Sequence, residues 1–212
     1  MMIHIDKKPP VADFVDFVQN EHPTNWDDIY HSKRHPHLYQ DCRLEILLSE
    51  QNGLGAYTER PLLDAPDLHI DHYRKKAMNW PNNVTFDWNN LVVENRSTEY
   101  GACYKDKNTK NTNDYQRLLN PMIDYPEIMM TYLPNGKIVP VSGLEEVELD
   151  KVNFTIERFN LNYELLRVER ETILKIVIES YSQLTDDEIR QALTDNGYPT
   201  MVEWVLEVRH CK

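Results

Sequence analysis

Two stretches near the middle of the 212-residue chain decide the fold: residues 68–76 read LHIDHYRKK, and residues 86–95 read FDWNNLVVEN. The alternation of apolar and polar positions predicts a strand over residues 68–73, because successive side chains of a strand point to opposite faces. Such a strand places His69 and Asp71 on one face and His72 on the other. The segment therefore offers a carboxylate and an imidazole to different neighbours.

The elements around this strand predict an α+β fold. Residues 54–59 are expected to pair with the strand as a hairpin through a turn at residues 64–67, and the Asn-rich residues 79–95 are expected to form a long loop. Apolar residues at helical spacing, with capping or Asn-Gly signals at some ends, predict helices over residues 40–51, 100–108, 162–180, 185–196 and 200–210.

These elements predict a small β-β-α unit embedded in one mostly helical domain. We divide that domain into an N-terminal segment (1–39), a central module that holds the β-β-α unit (40–142) and a C-terminal helical region (143–212). A chain of this length can bury a sizeable core as one domain.

Composition excludes several classes of protein. With 41% hydrophobic and 27% charged residues, the chain has the composition of a soluble globular protein. It has no apolar run long enough to span a membrane and no apolar signal core, so we expect a cytoplasmic location. The three cysteines, Cys42, Cys103 and Cys211, are odd in number and widely spaced, which predicts reduced thiols.

The charge balance argues against a simple nucleic-acid-binding module. The chain carries a net charge of -12, whereas proteins that bind phosphate by charge alone need an excess of cationic side chains. The acidity is uneven, since residues 67–117 contain eight Lys/Arg and seven Asp/Glu. A divalent cation or a basic partner would have to supply the missing attraction for phosphate.

Asp71 and His72 suit the hydrolysis of a phosphodiester. A carboxylate can bind Mg²⁺ or Mn²⁺, and a neutral imidazole can accept the proton of an attacking water molecule. Asn90 is expected to hold that imidazole, because the flanking Trp88 and Leu91 would pin its loop against the core. Simpler interpretations stay open: His69 as a solvent-facing strand residue, Trp88 as a core residue, and residues 74–76 as a solvated cationic run.

Several stretches, in the same order, resemble the HNH nucleases found as the B subunit of Septu anti-phage systems, also in their retron-associated form. Residues 69–76 resemble the family's H-I-E-H-F-R-P-K, and residues 86–92 resemble its F-D-W-D-N-L-L. The other matching stretches are residues 47–51 with 55–59, 118–121 with 126–127, 135–138 and 161–162. Together the matches span residues 40–180.

The resemblance implies a ββα-metal fold that uses Mg²⁺ or Mn²⁺. In that fold Asp71 would be a metal ligand, His72 the general base and Asn90 the residue that orients it. Gly55 and Thr58 stand where the family has cysteines, and a later Cys pair is missing, so no structural zinc is expected.

The second metal ligand has no single match. Candidates are Asn95, Cys103, Asp106 and Asn108, of which Asp106 is preferred because an oxygen ligand suits a hard cation. Its neighbours Lys105 and Lys107, together with Arg74 and Lys76, are then expected to face phosphate.

The resemblance also implies partners: an ATPase subunit of the ABC/SMC type, a DNA or RNA substrate and, in retron systems, a reverse transcriptase with its RNA-DNA product. Residues 143–212, with fifteen Asp/Glu against eight Lys/Arg, are the candidate surface for docking the ATPase, or simply a solvated acidic face. Two other functions stay open. One is a catalytically inactive adaptor with the same fold, and the other is a small acidic helical interaction protein in which Asp71-His72 is accidental.

Overall fold

Two short antiparallel strands lie at the centre of the computed structural model, which describes residues 1–65 and 67–210. Strand β1 (Leu68–His72) pairs with β2 (Leu91–Asn95), in a register that sets Asp71 opposite Val92 and His72 opposite Leu91. The predicted strand at residues 68–73 is confirmed. The prediction of a loop over residues 79–95 is wrong at its end, because residues 91–95 form β2. All five residues of β2 are buried, so the strand lacks the alternation that marks a half-exposed one.

The hairpin strand predicted at residues 54–59 is absent. Instead the chain turns back on itself: the Gly55 N–H donates to the carbonyl of Arg60, and the Glu59 N–H donates to the carbonyl of Gly55. Glu59 adopts a left-handed φ of 58°, which no strand tolerates. A single backbone bond, from Ala56 N–H to the carbonyl of Val93, joins this turn to β2. The predicted turn at residues 64–67 includes Pro66, which lies outside the described residues.

Helix α3 (Gly101–Asn108) follows β2 and confirms the helix predicted at residues 100–108. It begins at Gly101, whose φ of 69° is left-handed and whose N–H donates to the carbonyl of Phe159 at 2.8 Å. The chain thus runs β1, loop, β2, α3, and Lys105 in the middle of α3 contacts the end of β1 at Asp71 and His72.

Helices make up most of the remainder. On the N-terminal side are α1 (Ala12–Asp16), extended by a π-helical turn (Phe17–Glu21), a 3₁₀ turn (Trp26–His31), and α2 (Leu38–Glu45), extended by a π-helical turn (Ile46–Glu50). After α3 come a 3₁₀ turn (Thr112–Gln116), α4 (Pro126–Met129) and a second two-stranded antiparallel sheet of β3 (Met130–Tyr132) and β4 (Ile138–Pro140). The C-terminal part contains α5 (Glu146–Arg158), α6 (Glu164–Lys175) with a π-helical turn (Ile176–Ser180), α7 (Asp186–Leu193) with a 3₁₀ turn (Thr194–Asn196), and α8 (Pro199–His210).

The other predicted helices are confirmed with small shifts at their ends. The capping box that begins α7 is present: the Glu188 carboxylate accepts the Thr185 N–H at 2.8 Å, and the Thr185 hydroxyl accepts the Glu188 N–H at 3.4 Å. Helix α5 and the β3–β4 sheet were not predicted. The polar sequence of α5 buries only Val152, Phe154 and Thr155, so its apolar face is narrow.

The β1–β2 pair lies between two hydrophobic clusters. Ile70, Leu91 and Val93 pack with the N-terminal helices in one cluster, whereas Val92 and Tyr73 pack with the C-terminal helices in the other. The clusters therefore cross the predicted borders at residues 39 and 142. The chain forms one α+β domain, in agreement with the predicted class. Among the described residues, no helix is long and apolar enough to cross a membrane.

Candidate active site

Asp71 and His72 of strand β1 point to opposite sides of the sheet. The Asp71 side chain contacts α3, while the His72 ring lies edge-on to Trp26 of the N-terminal segment, with ring centres 4.6 Å apart. This arrangement follows from the alternation of side chains along a strand. The prediction that Asp71 and His72 occupy different faces is confirmed.

A buried ammonium group lies against Asp71. Lys105 of α3 is fully buried, and its Nζ donates to Oδ2 of Asp71 at 2.8 Å and to the carbonyl oxygens of His72 and Tyr73 at 2.9 Å each. Oδ1 of Asp106 lies 3.2 Å from the same nitrogen. Four oxygen atoms therefore surround one positive charge; we call them the Lys105 oxygen shell.

The shell keeps both partners of the buried pair charged. Burial alone would lower the pKa of Lys105, but the carboxylates of Asp71 and Asp106 outweigh it and raise that pKa. Burial likewise opposes ionisation of Asp71, and attraction to Lys105 is the main reason that its pKa is lowered. The Tyr57 hydroxyl adds a hydrogen bond of 2.6 Å to Oδ2 of Asp71. A buried ion pair is tolerated when hydrogen bonds satisfy its remaining atoms in this way.

The position of Lys105 corrects one sequence-based expectation. A fully buried side chain cannot face a phosphate group in solution, so Lys105 is not placed to bind substrate. Lys107 and Lys76 are exposed, and their role stays a prediction. Arg74 is half-buried, and its Nη2 donates to Oδ2 of Asp87 at 2.8 Å, which neutralises much of its charge.

His72 is buried and uncharged. Burial lowers its pKa to about 4, and only 4% of the residue is exposed. Its Nε2 lies 2.9 Å from the carbonyl oxygen of Thr85. Because a carbonyl can only accept, Nε2 carries the proton and Nδ1 keeps the lone pair. The protonation state suits a general base, whereas the burial keeps water from the ring.

Asn90 ties the loop to the end of β1. Its Oδ1 accepts the Arg74 N–H at 2.7 Å, and its Nδ2 donates to the carbonyls of Arg74 and Val84 at 3.0 and 2.9 Å. Among the described residues, no hydrogen bond joins its side chain to His72. Asn90 fixes Val84, the neighbour of Thr85, and its carbonyl accepts the N–H of Tyr73, the residue after His72, at 2.9 Å. It therefore acts on His72 through the backbone.

Glu94 is a buried carboxylate that the sequence reasoning missed. It lies on the Asp71 side of β2, where its Oε2 accepts the Tyr57 N–H and its Oε1 accepts the Asn95 N–H, both at 3.0 Å. The Thr58 hydroxyl donates to the same carboxylate at 3.2 Å. Burial raises the pKa of Glu94 to about 7. A glutamate directly after the buried run of residues 91–93 was the signal available in the sequence.

Two positions at which the sequence departs from the resembled family lie beside the Glu94 carboxylate. A Cβ atom at Gly55 would come within 2.5 Å of Oε1 of Glu94, so a larger residue at position 55 would displace that carboxylate from its present position. Thr58, the second departure, donates its hydroxyl to Glu94. Both positions that hold cysteine in the family therefore surround one carboxylate here.

Comparisons with known proteins do not assign the chain to a family. No family model matches the chain, and no curated protein is significantly similar to it. The assignment to the ββα-metal nucleases stays a prediction that rests on the matching stretches of sequence.

The residues at Asp71 do not fit a divalent cation in their present arrangement. Asp71 and Asp106, the two predicted ligands, do lie beside a common cation, but that cation is the Lys105 ammonium. The preceding turn of α3 offers no further ligand. Ala102, which lies there on the same side of the helix as Lys105, has no side-chain atom that could bind metal. Among residues 1–65 and 67–210, no cluster of three or more His, Cys, Asp or Glu side chains could hold a metal ion.

The other candidate ligands are engaged locally. Asn95 donates to the Tyr100 hydroxyl at 3.2 Å, and Asn108 donates to the carbonyl of Tyr104 at 2.8 Å. Burial raises the pKa of the Cys103 thiol, which disfavours the thiolate that a metal would require.

Proposed function

We propose that this chain is an HNH-type subunit of a nucleic-acid-directed anti-phage defence complex. It would act there with an ATPase partner of the ABC/SMC type and, in a retron setting, with a reverse transcriptase and its RNA-DNA product. Support comes from the ordered resemblance over residues 40–180 and from the order β1, loop, β2, α3, which matches the element order of a ββα unit.

Within that complex we assign the chain the role of an adaptor that does not hydrolyse nucleic acid itself. The contact between Lys105 and Asp71 carries this assignment. A catalytic divalent cation needs carboxylate and carbonyl oxygens that are free to coordinate it, and here Lys105 holds Asp71 together with two backbone carbonyls. Freeing those oxygens would leave a charge buried without a partner, which costs about 3–5 kcal/mol.

The second candidate is the metal-dependent endonuclease implied by the resemblance. One observation favours it: Asp71 and Asp106 flank a single cation, and a neutral His72 lies next in sequence. This activity requires Lys105 to leave Asp71 and the His72 ring to become accessible, as a partner that displaces the Trp26 segment could achieve.

In either role the chain depends on its partners for contact with nucleic acid. The net charge of -12 repels the negatively charged phosphates of a nucleic acid. Arg74, beside the site, forms an ion pair with Asp87. We therefore place most of the binding surface for nucleic acid on the ATPase, and we propose the acidic helices α5 to α8 as the surface that docks it.

The deciding experiment measures nuclease activity of the chain purified together with its ATPase partner. Plasmid DNA and total tRNA are incubated with Mg²⁺ or Mn²⁺ and the wild-type complex or a complex containing His72→Ala. The adaptor role predicts the same low cleavage from both complexes, and weaker ATP-dependent nucleic-acid binding by the ATPase when the chain is omitted. Cleavage by the wild type that disappears with His72→Ala would establish the endonuclease instead.

A further inference from the structure

The contacts around Lys105 have the composition of a site for a hard cation. One buried carboxylate, one partly exposed carboxylate and two main-chain carbonyls supply its oxygens, from Asp71, Asp106, His72 and Tyr73. Oxygen shells of mixed carboxylate and carbonyl groups are what Ca²⁺ and related cations use in proteins. An ammonium group has three N–H donors, and one carboxylate and two main-chain carbonyls already satisfy all three here. The fourth oxygen, Oδ1 of Asp106, exceeds that requirement and distinguishes this site from an ordinary buried ion pair.

We propose that Lys105 is a tethered cation that stands in for a divalent metal, and that removing its ammonium group converts the oxygen shell into a Ca²⁺ site. The two carbonyls come from consecutive residues, His72 and Tyr73, at the point where β1 ends, so the backbone holds them in position without help from Lys105. Asp71 is held in turn by the Tyr57 hydroxyl at 2.6 Å. Three of the four oxygens therefore stay directed at the same point when the amine is taken away.

An atom left without a partner supports the same conclusion. Oδ1 of Asp106 is shielded from solvent and has no hydrogen bond among the described residues, although it lies 3.2 Å from Nζ of Lys105. The ammonium donates hydrogen bonds to three oxygens, whereas the fourth has only an electrostatic attraction to it. A metal ion has no such limit, because it can coordinate six or more oxygens.

Size selects the cation. The oxygens lie 2.8–3.2 Å from the nitrogen, and Ca²⁺ needs about 2.3–2.6 Å, a modest contraction, whereas Mg²⁺ needs about 2.0–2.1 Å and strict octahedral geometry. Truncation of the lysine also frees the space of its side chain for water ligands. The expected order of binding in the truncated protein is therefore Ca²⁺ above Mg²⁺.

This inference concerns the site of the proposed function, but it rests on the contacts of the shell alone. It is tested on the isolated chain by metal binding rather than by nuclease activity, so its failure leaves the adaptor and endonuclease proposals where they stand. The variants are Lys105→Ser, the double variant Lys105→Ser with Asp71→Asn, and the surface control Lys107→Ser.

Thermal unfolding is measured in EDTA and in Ca²⁺, and Tb³⁺ luminescence excited through nearby tyrosines reports direct binding. Lys105→Ser is expected to gain a Ca²⁺-dependent rise in Tm of about 5–10 °C at a hundredfold excess over Kd, with a Tb³⁺ signal that Ca²⁺ displaces. The wild type, Lys107→Ser and the double variant are expected to show neither response.

Three outcomes overturn the proposal. The first is Asp71-dependent binding of Ca²⁺ or Tb³⁺ by the wild type, since Lys105 would then not exclude metal. The second is a folded Lys105→Ser that responds to neither ion. The third is a Lys105→Ser that stays unfolded even in Ca²⁺, because a shell able to bind the ion in place of the ammonium would rescue folding.

Discussion

Nζ of Lys105 and Oδ2 of Asp71 lie 2.8 Å apart in the interior, where both side chains are almost completely removed from solvent. Lys105 comes from α3 and Asp71 from β1, so one ion pair joins the two elements that a ββα nuclease would use to bind its metal. The same pair raises the pKa of Lys105 and lowers that of Asp71. Each charge therefore depends on the other for its place in the core.

The first prediction concerns the stability that depends on this pair. Lys105→Met keeps most of the length of the side chain but leaves the Asp71 carboxylate buried without its cation, and we expect a loss of about 3–5 kcal/mol in the free energy of unfolding in urea. Lys107→Met on the exposed side of the same helix should change it by less than about 0.5 kcal/mol. Adding Asp71→Asn to Lys105→Met should recover part of the loss, because the unpaired charge is removed. A loss below about 1 kcal/mol in Lys105→Met would contradict the ion pair.

The second prediction follows from Glu94. Its pKa is raised from 4.5 to about 7 by burial, so between these pH values the folded protein holds a proton that the unfolded chain releases. This group therefore lowers stability as pH rises from about 4.5 to 7, by up to about 3 kcal/mol. Chemical unfolding at several pH values should show that contribution in the wild type and its absence in Glu94→Gln. Parallel stability profiles of the two proteins would show that folding does not raise the pKa of Glu94.

The third prediction concerns the protonation of His72. Burial lowers its pKa from 6.5 to about 4, so the folded state keeps the ring neutral where the unfolded chain protonates it. The stability contributed by this neutral ring is present above pH 6.5 and is lost as pH falls towards 4. In ¹⁵N NMR spectra at pH 5.5 we expect a neutral imidazole with the proton on Nε2. A charged ring at that pH, or a proton on Nδ1, would contradict the contact with Thr85.

The fourth prediction concerns Asn90 as a positioning residue. Asn90→Ala leaves the Arg74 N–H and two carbonyls without partners, and we expect a loss of about 2–3 kcal/mol. The ¹⁵N shift of His72 Nε2 should also change, because Asn90 anchors Val84 beside the Thr85 carbonyl. The neighbouring exposed Asn89 is the matched control, and Asn89→Ala should alter neither quantity. A His72 signal that stays unchanged in Asn90→Ala would restrict Asn90 to a structural role elsewhere in the loop.

The predicted helices and β1 were accessible from sequence because their signals are local. The 3.6-residue spacing of apolar positions marks α6, and the Thr185–Glu188 capping box marks the start of α7. The partner of β1 was not accessible in this way. Residues 54–59 resemble a strand in composition, but Glu59 takes a left-handed φ, and the fully buried β2 carries no alternation from which to recognise it.

The candidate site shows the same division. Asp71, His72 and Asn90 could be selected because their residue types and order resemble a known arrangement, and the alternation of β1 placed the first two on opposite faces. The residues that contact Asp71 and His72 in the folded chain could not be predicted from the sequence. Gly55 and Thr58 lie beside the Glu94 carboxylate in the folded chain. Both precede Glu94 by about forty positions, so no local pattern links them to it.

By itself the sequence determined that the chain forms an α+β domain with most of its helices, and that a carboxylate and an imidazole stand at the end of a central strand. The tertiary structure alone decided which cation faces that carboxylate. Residue type marked Lys105 as a surface cation for phosphate, since lysine is rarely buried. Packing of α3 against β1 instead directs its amine to Asp71 and two carbonyls, because a charge removed from water must find compensating oxygens within the protein.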